Sequence, residues 1–437
     1  MHLPKTLAEL SLAYFDEQYA SKDLERQFWD FSSGVGIFPK GVLDGKEVIT
    51  FSSNDYLGLA TNEKFVSQAI EVVKIRGVGS GGSHNLGGRY PELSELEHQI
   101  ASVYERDGSV IFGSGYDANM ETLKMLAKIY DNKLVFVSDQ LNHRSIIEGM
   151  RGLPKAIFTH NDMEDLEREL KKVKTTYPNS KPIIVFEGIY SMDGAMPNIR
   201  DIVELAKKYD ALTIDDEVHA VGLYGSRGGG ICESSGVRDD IDIIIGGFGK
   251  AHGSKGGFVI ADKAFTTAMK MSPSYIFTST EPPIITSTAL FTSKYLMDEN
   301  CPERVSHREN VAFAKQVFTK KKLPFLDFGG HIIPIMIGDK KEGINDATEA
   351  KAVAQDLLEK GYLCRPVFHP SVPIGEARLR IIVNASHTKE HIHGLAEALE
   401  QVLSKHNIIG KREGIALCTE FFCFAEKQIL KKQNEKH

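Results

Sequence analysis

Ile241-Asp242-Ile243-Ile244-Ile245-Gly246-Gly247-Phe248-Gly249-Lys250-Ala251-His252-Gly253 is the stretch on which the reading of this chain turns. Ile243-Ile244-Ile245 is apolar on both faces, which predicts a strand over 241–245 covered by a layer on each side. A second apolar strand is expected over 256–260. Between them Lys250 stands among glycines, counting Gly256 and Gly257. A lysine is almost never fully buried unless paired. Partial desolvation would lower its pKa and make the amine a nucleophile toward an aldehyde. The competing reading of this segment alone is a surface lysine in a glycine-rich turn.

The two-faced apolar pattern recurs at Leu134-Val135-Phe136-Val137 and Ile183-Ile184-Val185-Phe186. From about residue 95 the chain alternates. Helices are expected over 91–105, 116–129, 142–151, 162–174 and 198–209. Strands are expected over 109–112, 133–138, 156–159, 182–186 and 211–215. That order specifies an α/β fold with a doubly wound, mostly parallel sheet, whose ligands lie at the carboxyl ends of the strands. Upstream, Lys46 to Ser52 reads as a short strand, Asn54-Asp55 as a turn and 63–76 as a helix. Beyond residue 295 the texture changes. A charged amphipathic helix is expected over 296–320, strands over 331–337 and 378–383, and helices over 346–360 and 389–404. The expected division is an N-terminal arm and leading strand over 1–60, a large domain over 61–295 and a smaller α+β domain over 296–437. The lysine-containing tail after Lys411 reads as a docked terminal helix.

The 437 residues suffice for such a core, with 42% apolar and 25% charged residues. A net charge of −7 gives no support for a nucleic-acid or acidic-membrane role. No run of about 18 apolar residues suggests a membrane span, and residues 1–20 do not read as a signal peptide. The five cysteines, Cys232, Cys301, Cys364, Cys418 and Cys423, are odd in number and scattered. They read as reduced thiols of a cytoplasmic protein.

Two further clusters stand after apolar runs. Asp215-Asp216-Glu217-Val218-His219 ends the strand 211–215. No metal site is expected, because partner ligands at the usual spacing are missing. A carboxylate here suits a protonated pyridine nitrogen; a solvated acidic loop is the plainer alternative. Ser114-Gly115-Tyr116 opens a helix, whose free N–H groups suit a phosphate, or equally a plain capping turn. Several motifs fail. Gly77-x-Gly79-x-x-Gly82 follows a helix instead of a strand, and Lys250 is followed by Ala251 instead of Ser or Thr. No Gly-x-Ser-x-Gly and no His-Glu-x-x-His occurs.

With these residues in view the chain resembles the α-oxoamine synthases, fold-type I pyridoxal-phosphate enzymes, from about residue 24 to 404. The resemblance is carried by Ser53-Asn54-Asp55-Tyr56-Leu57-Gly58, Asp139-Gln140-Leu141-Asn142-His143, Tyr190-Ser191-Met192-Asp193-Gly194, Asp216-Glu217-Val218-His219-Ala220-Val221-Gly222, Gly249-Lys250-Ala251 and Arg378-Leu379-Arg380. It implies that Lys250 holds pyridoxal 5'-phosphate as a Schiff base and moves the α-proton. Asp216 would pair with the pyridine nitrogen and His219 with the phenolic oxygen. His143 would stack on the ring, and Ser191 would support it. Gly115 and Tyr116 would hold the phosphate, joined by Thr278 and Ser279 from a neighbouring subunit. A homodimer with shared active sites is thereby implied. Arg26, Asn54, Ser83, Asn85, Ser371 and Arg380 form the implied substrate set, with Arg380 clamping the amino-acid carboxylate.

The implied reaction is a decarboxylating condensation of an amino acid, glycine foremost, with an acyl-CoA. Residues 187–235 are most similar to the branch that makes 5-aminolevulinate from succinyl-CoA. The branches that make 8-amino-7-oxononanoate or 2-amino-3-ketobutyrate remain alternatives. The chain departs from the aminolevulinate pattern at His84, Asn384, Gly247 and His252, where an arginine, a threonine, a threonine and an aromatic residue are usual. A catalytically silent partner subunit and a plain aminotransferase are readings of other classes. The first typically lacks the lysine, and the second would work without CoA.

Overall fold

A computed structural model describes residues 6–19, 31–33, 39–43, 45–338 and 346–409. Seven strands form the central sheet in the order Gly108–Phe112, Gly257–Ala261, Ile243–Gly247, Leu212–Asp216, Lys181–Glu187, Leu134–Asp139, Lys155–Phe158. All run parallel except Gly257–Ala261, which pairs antiparallel with both neighbours. Successive residues of a strand feed opposite cores. Ile184, Phe186 and Ile244 enter one cluster with Leu96, Ile100, Leu166 and Leu170. Ile183, Val185, Ile243 and Ile245 enter another with Ala118, Leu123 and Leu126. Each such fully buried side chain contributes about 1.5–3 kcal/mol of transfer free energy, which is why these segments are apolar throughout.

A third core joins Val311, Ala314, Phe318, Ile333, Ile335, Leu379, Ile381, Leu395 and Leu399. It packs the helices Pro302–Lys320, Asp346–Glu359 and Lys389–Lys405 on a sheet ordered Ile332–Met336, Arg378–Ile382, Pro366–Val367. Phe51 belongs to this core, and the strand Lys46–Thr50 pairs with Tyr362–Leu363. The strand Lys46–Thr50 thus lies beside the C-terminal part of the chain.

The helix Glu63–Arg76 has the bounds that its apolar spacing predicts. The helix expected over 296–320 starts later, at Pro302, and a separate helix precedes it. Pro283–Tyr295 packs on the large core, and Pro302–Lys320 starts after a break at 296–301. Pro302 takes the first helical position, where its missing N–H costs nothing. The helix expected over 142–151 shortens to Arg144–Gly149, because His143 accepts a hydrogen bond from the Ser145 N–H and caps it. The tail after Lys411 and the thiols of Cys418 and Cys423 lie outside the described residues. Cys232, Cys301 and Cys364 are free and buried. Among the described residues no helix is long and apolar enough to cross a membrane.

Candidate active site

The carboxyl edge of the sheet gathers the expected residues. Asp216 and Glu187 end their strands, Gly247 ends another, and Ser114-Gly115 follows Phe112 at the start of a helix. A cavity of about 260 Å³ is lined there by Ser114, Gly115, Tyr116, Asn119, His143, Glu187, Asp216, Val218, His219, Gly247, Gly249, Lys250, Lys255 and Gly256. Burial lowers the Lys250 amine to about 8, against the charge of Asp216 and with that of Arg380. Asp216 is 5% exposed; its Oδ2 accepts from Asn119 Nδ2 at 2.6 Å and its Oδ1 from the Val218 N–H at 3.0 Å. His143 loses protons readily, first through burial; Lys250 adds to this and Asp216 opposes it. Burial and the Asp216 charge keep the Glu187 carboxyl protonated, and its Oε1 is buried without a partner.

Burial, then the charges of Lys250 and Arg380, hold His219 neutral. Its Nδ1 lies 2.6 Å from the Tyr56 hydroxyl, whose oxygen is also 3.3 Å from Asn54 Oδ1. Arg380 Nη1 donates to the same Asn54 oxygen at 2.9 Å, and its Nε donates to the Ser191 carbonyl at 2.5 Å. Arg380, Asn54, Tyr56 and His219 therefore form one hydrogen-bonded chain, anchored to Ser191.

Behind this edge, Asp215, Glu217 and Cys232 bring ligating atoms within 4.8 Å of one another. Glu217 accepts from the N–H groups of Ile231 and Cys232, and burial raises both carboxyls. Glu217 thereby braces the 217–232 loop. At the far end of the sheet His160 lies between Asp139 Oδ1, at 2.9 Å, and Asp193 Oδ2, at 3.4 Å. Burial alone would lower its pKa. Hydrogen bonds to both carboxylates, and their charges, outweigh that and raise it to about 10. Asp139 also accepts the Leu141 N–H and Asp193 the Ala195 N–H, so this imidazolium ties the His143 loop to the Ser191 loop.

Lys250, Asp216, His219, His143, Gly115 and Tyr116 thus come together, with Asn54, Ser191 and Arg380 joined to them by hydrogen bonds. Ser83, Asn85, Thr278 and Ser279 stand elsewhere in the chain. Ser83 bridges Ser279 in antiparallel fashion, and its Oγ donates to Asn85 Oδ1 at 2.8 Å. Thr278 and Ser279 line a different cavity of about 160 Å³ with His84, whose ring stacks on Tyr275 at 3.6 Å. Asn384 Oδ1 accepts from the Ser386 and His387 N–H groups, so it builds a turn. Ser371 is exposed and lines neither of these two cavities. Arg26 lies outside the described residues. The sequence reading missed Tyr56, Asn119, Glu187 and Lys255. Position at a strand's last residue could have flagged Glu187; nothing local flags the others.

The residues present fit a flat, phosphorylated pyridinium aldehyde. The lining holds both a buried carboxylate suited to a ring N–H and an amine suited to an aldehyde. A helix of fifteen residues starts at the cavity, offering unpaired N–H groups. A Cβ on Gly115 or Gly247 would meet Val218 at 3.0 or 3.3 Å, so bulk is held off that end.

Comparison with known proteins agrees. Residues 46–399 match the aminotransferase class I and II family. A 5-aminolevulinate synthase of Rickettsia bellii is 40% identical over 91% of this chain and 96% of its own length. One from Bradyrhizobium diazoefficiens is 38% identical over 90% and 94%. Among solved structures, a serine palmitoyltransferase from S. paucimobilis with PLP and myriocin bound superposes with a TM-score of 0.82 at 25% identity, covering 93% of this chain and all of that one. The chain belongs to the aminotransferase class I and II family, in its α-oxoamine synthase branch.

Proposed function

We propose that the protein condenses glycine with succinyl-CoA to give 5-aminolevulinate, carbon dioxide and CoA, with pyridoxal 5'-phosphate held at Lys250. The observation that carries this reading is the meeting, in one cavity, of an amine lowered to about 8 with Asp216, His143 and neutral His219, in a chain 40% identical to a 5-aminolevulinate synthase. Bound there, the cofactor supplies an aldehyde for the amino nitrogen and a pyridinium ring that accepts the electron pair left at the α-carbon.

The chain's own groups do the rest. Asp216 keeps the ring nitrogen protonated. Near neutral pH the Lys250 amine can accept or return the α-proton, as a base with a pKa near the working pH does best. His219 has one ring nitrogen committed to Tyr56, and the other would donate to the cofactor's oxygen. Arg380 spends Nε and Nη1 on Ser191 and Asn54, and offers its remaining edge to the substrate carboxylate. His143 would assist the acyl carbonyl. Gly115 and Tyr116 hold the phosphate.

Ser83, Asn85, Thr278 and Ser279 serve the partner's site in a homodimer. Close to them in sequence stand Ile75, Val78 and Leu86, each 77% exposed, Met271 at 66% and Phe277 at 84%. Large apolar side chains so exposed mark an interface, and a second copy covers them. The expected division near residues 60 and 295 and a cytoplasmic location belong to the same reading. The test is a panel of acyl-CoAs with glycine, alanine and serine, reading CoA release. Succinyl-CoA with glycine should turn over fastest, and no turnover with that pair would refute the proposal. Mixing Lys250→Ala with Asn85→Ala subunits should restore part of the activity if sites are shared.

A further inference from the structure

The phosphate end of the cavity is poor in positive charge. Ser114 Oγ donates to Asp117 Oδ2 at 2.7 Å and accepts from the Asp117 N–H, so the hydroxyl is already committed. Glu281 is the next carboxylate; its Oε1 would lie 2.8 Å from a Cβ on Gly113. Gly247 and Gly256 line the cavity without side chains. Asp117 and Glu281 line the neighbouring cavity of about 160 Å³, and a phosphate near Ser114 brings between one and two further negative charges close to them. Among the lining residues the sole lysine or arginine besides Lys250 is Lys255. Its side chain is 66% exposed, and its ammonium pairs with Glu281 only loosely, at 3.9 Å. Lys255 and Lys250 sit on one loop, closed by the antiparallel pairing of Gly257 with Gly247.

We propose that Lys255 is a phosphate-binding residue, whose ammonium leaves Glu281 for the cofactor's phosphate and supplies the charge that Gly247 and Ser114 do not. This rests on the reading of the cavity as the pyridoxal-phosphate site. The flexible stem of lysine lets a point charge swing between two acceptors without moving the backbone.

The test compares two aldehydes on the cofactor-stripped full chain, pyridoxal 5'-phosphate and pyridoxal, by the absorbance of the imine each forms. Lys255→Met should weaken pyridoxal 5'-phosphate roughly tenfold at low salt, less at high salt, and leave pyridoxal unchanged. Lys255→Arg should stay near the parent. Glu281→Gln, which frees the ammonium, should tighten the phosphorylated aldehyde a fewfold. Equal affinities in Lys255→Met and the parent, or a parallel loss for both aldehydes, would overturn the assignment. If the parent itself forms no imine with either aldehyde, the reading of the cavity falls instead.

Discussion

Replacing His160 by Gln removes a buried positive charge from between Asp139 and Asp193, and the cost should depend on pH in a defined direction. An unperturbed histidine titrates near 6.5; folded His160 titrates near 10. The folded state therefore holds the proton more tightly than the unfolded chain. The resulting stability is complete below about pH 6.5 and is lost as pH rises toward 10. Its size is on the order of 5 kcal/mol, since one pKa unit is about 1.36 kcal/mol. The side chain is 21% exposed and its partners are 1% and 8% exposed, so solvent screens it little. Gln keeps one hydrogen bond but not the charge. At pH 6.5 the variant should be about 3–4 kcal/mol less stable than the parent. By pH 9.5 the gap should shrink by about 3 kcal/mol, because the parent loses what the variant never had. Urea unfolding of both proteins with saturating cofactor, followed by circular dichroism across that range, measures the gap. A gap that stays constant with pH would refute the argument that His160 is an imidazolium.

Lys250→Ala should remove the borohydride-trappable bond to the cofactor and lower turnover by about 10⁴, which mass mapping and CoA release would show. In the cofactor-stripped protein, imine formation should accelerate about tenfold per pH unit up to about pH 8 and then level off, as expected for an amine titrating near 8; a knee near 10 would contradict the desolvated lysine. Arg380→Lys should raise KM for the amino acid about 10–100-fold with a smaller effect on kcat, because lysine cannot bridge Ser191, Asn54 and a carboxylate together. Gly246→Ala should cost about 1–3 kcal/mol in thermal unfolding, since its Cβ would lie 2.1 Å from the ring of Phe258.

The large sheet was legible because Ile183–Phe186, Leu134–Val137 and Ile243–Ile245 are apolar at consecutive positions, which only a strand covered on both faces requires. The antiparallel direction of Gly257–Ala261 was not legible, since direction is a property of pairing and leaves no mark on the strand's own residues. The break at 296–301 was read through, because charged side chains on both sides mask the loss of helical spacing; Pro302 was its only local mark. Lys250, Asp216 and His219 announced themselves as polar residues just beyond apolar runs. Tyr56 and Asn119 did not, because each acts through a partner far along the chain: His219 for one, Asp216 for the other. Ser83 and Thr278 were readable as functional only by resemblance, since their own chain gives them no contact with Lys250's cavity.

The short passage from Phe51 to Tyr56 crosses between two cores. Phe51 stacks on His387 at 4.0 Å, and its carbonyl accepts the Ile382 N–H. Tyr56 is packed among the large cluster, and between the two Asn54 meets Arg380. If Arg380 holds the substrate carboxylate as proposed above, the load falls on a passage bonded to both cores, so grip on the substrate and the seating of one core against the other would be coupled. An extra residue spliced in at 52 or 53 would leave each core whole and uncouple the two.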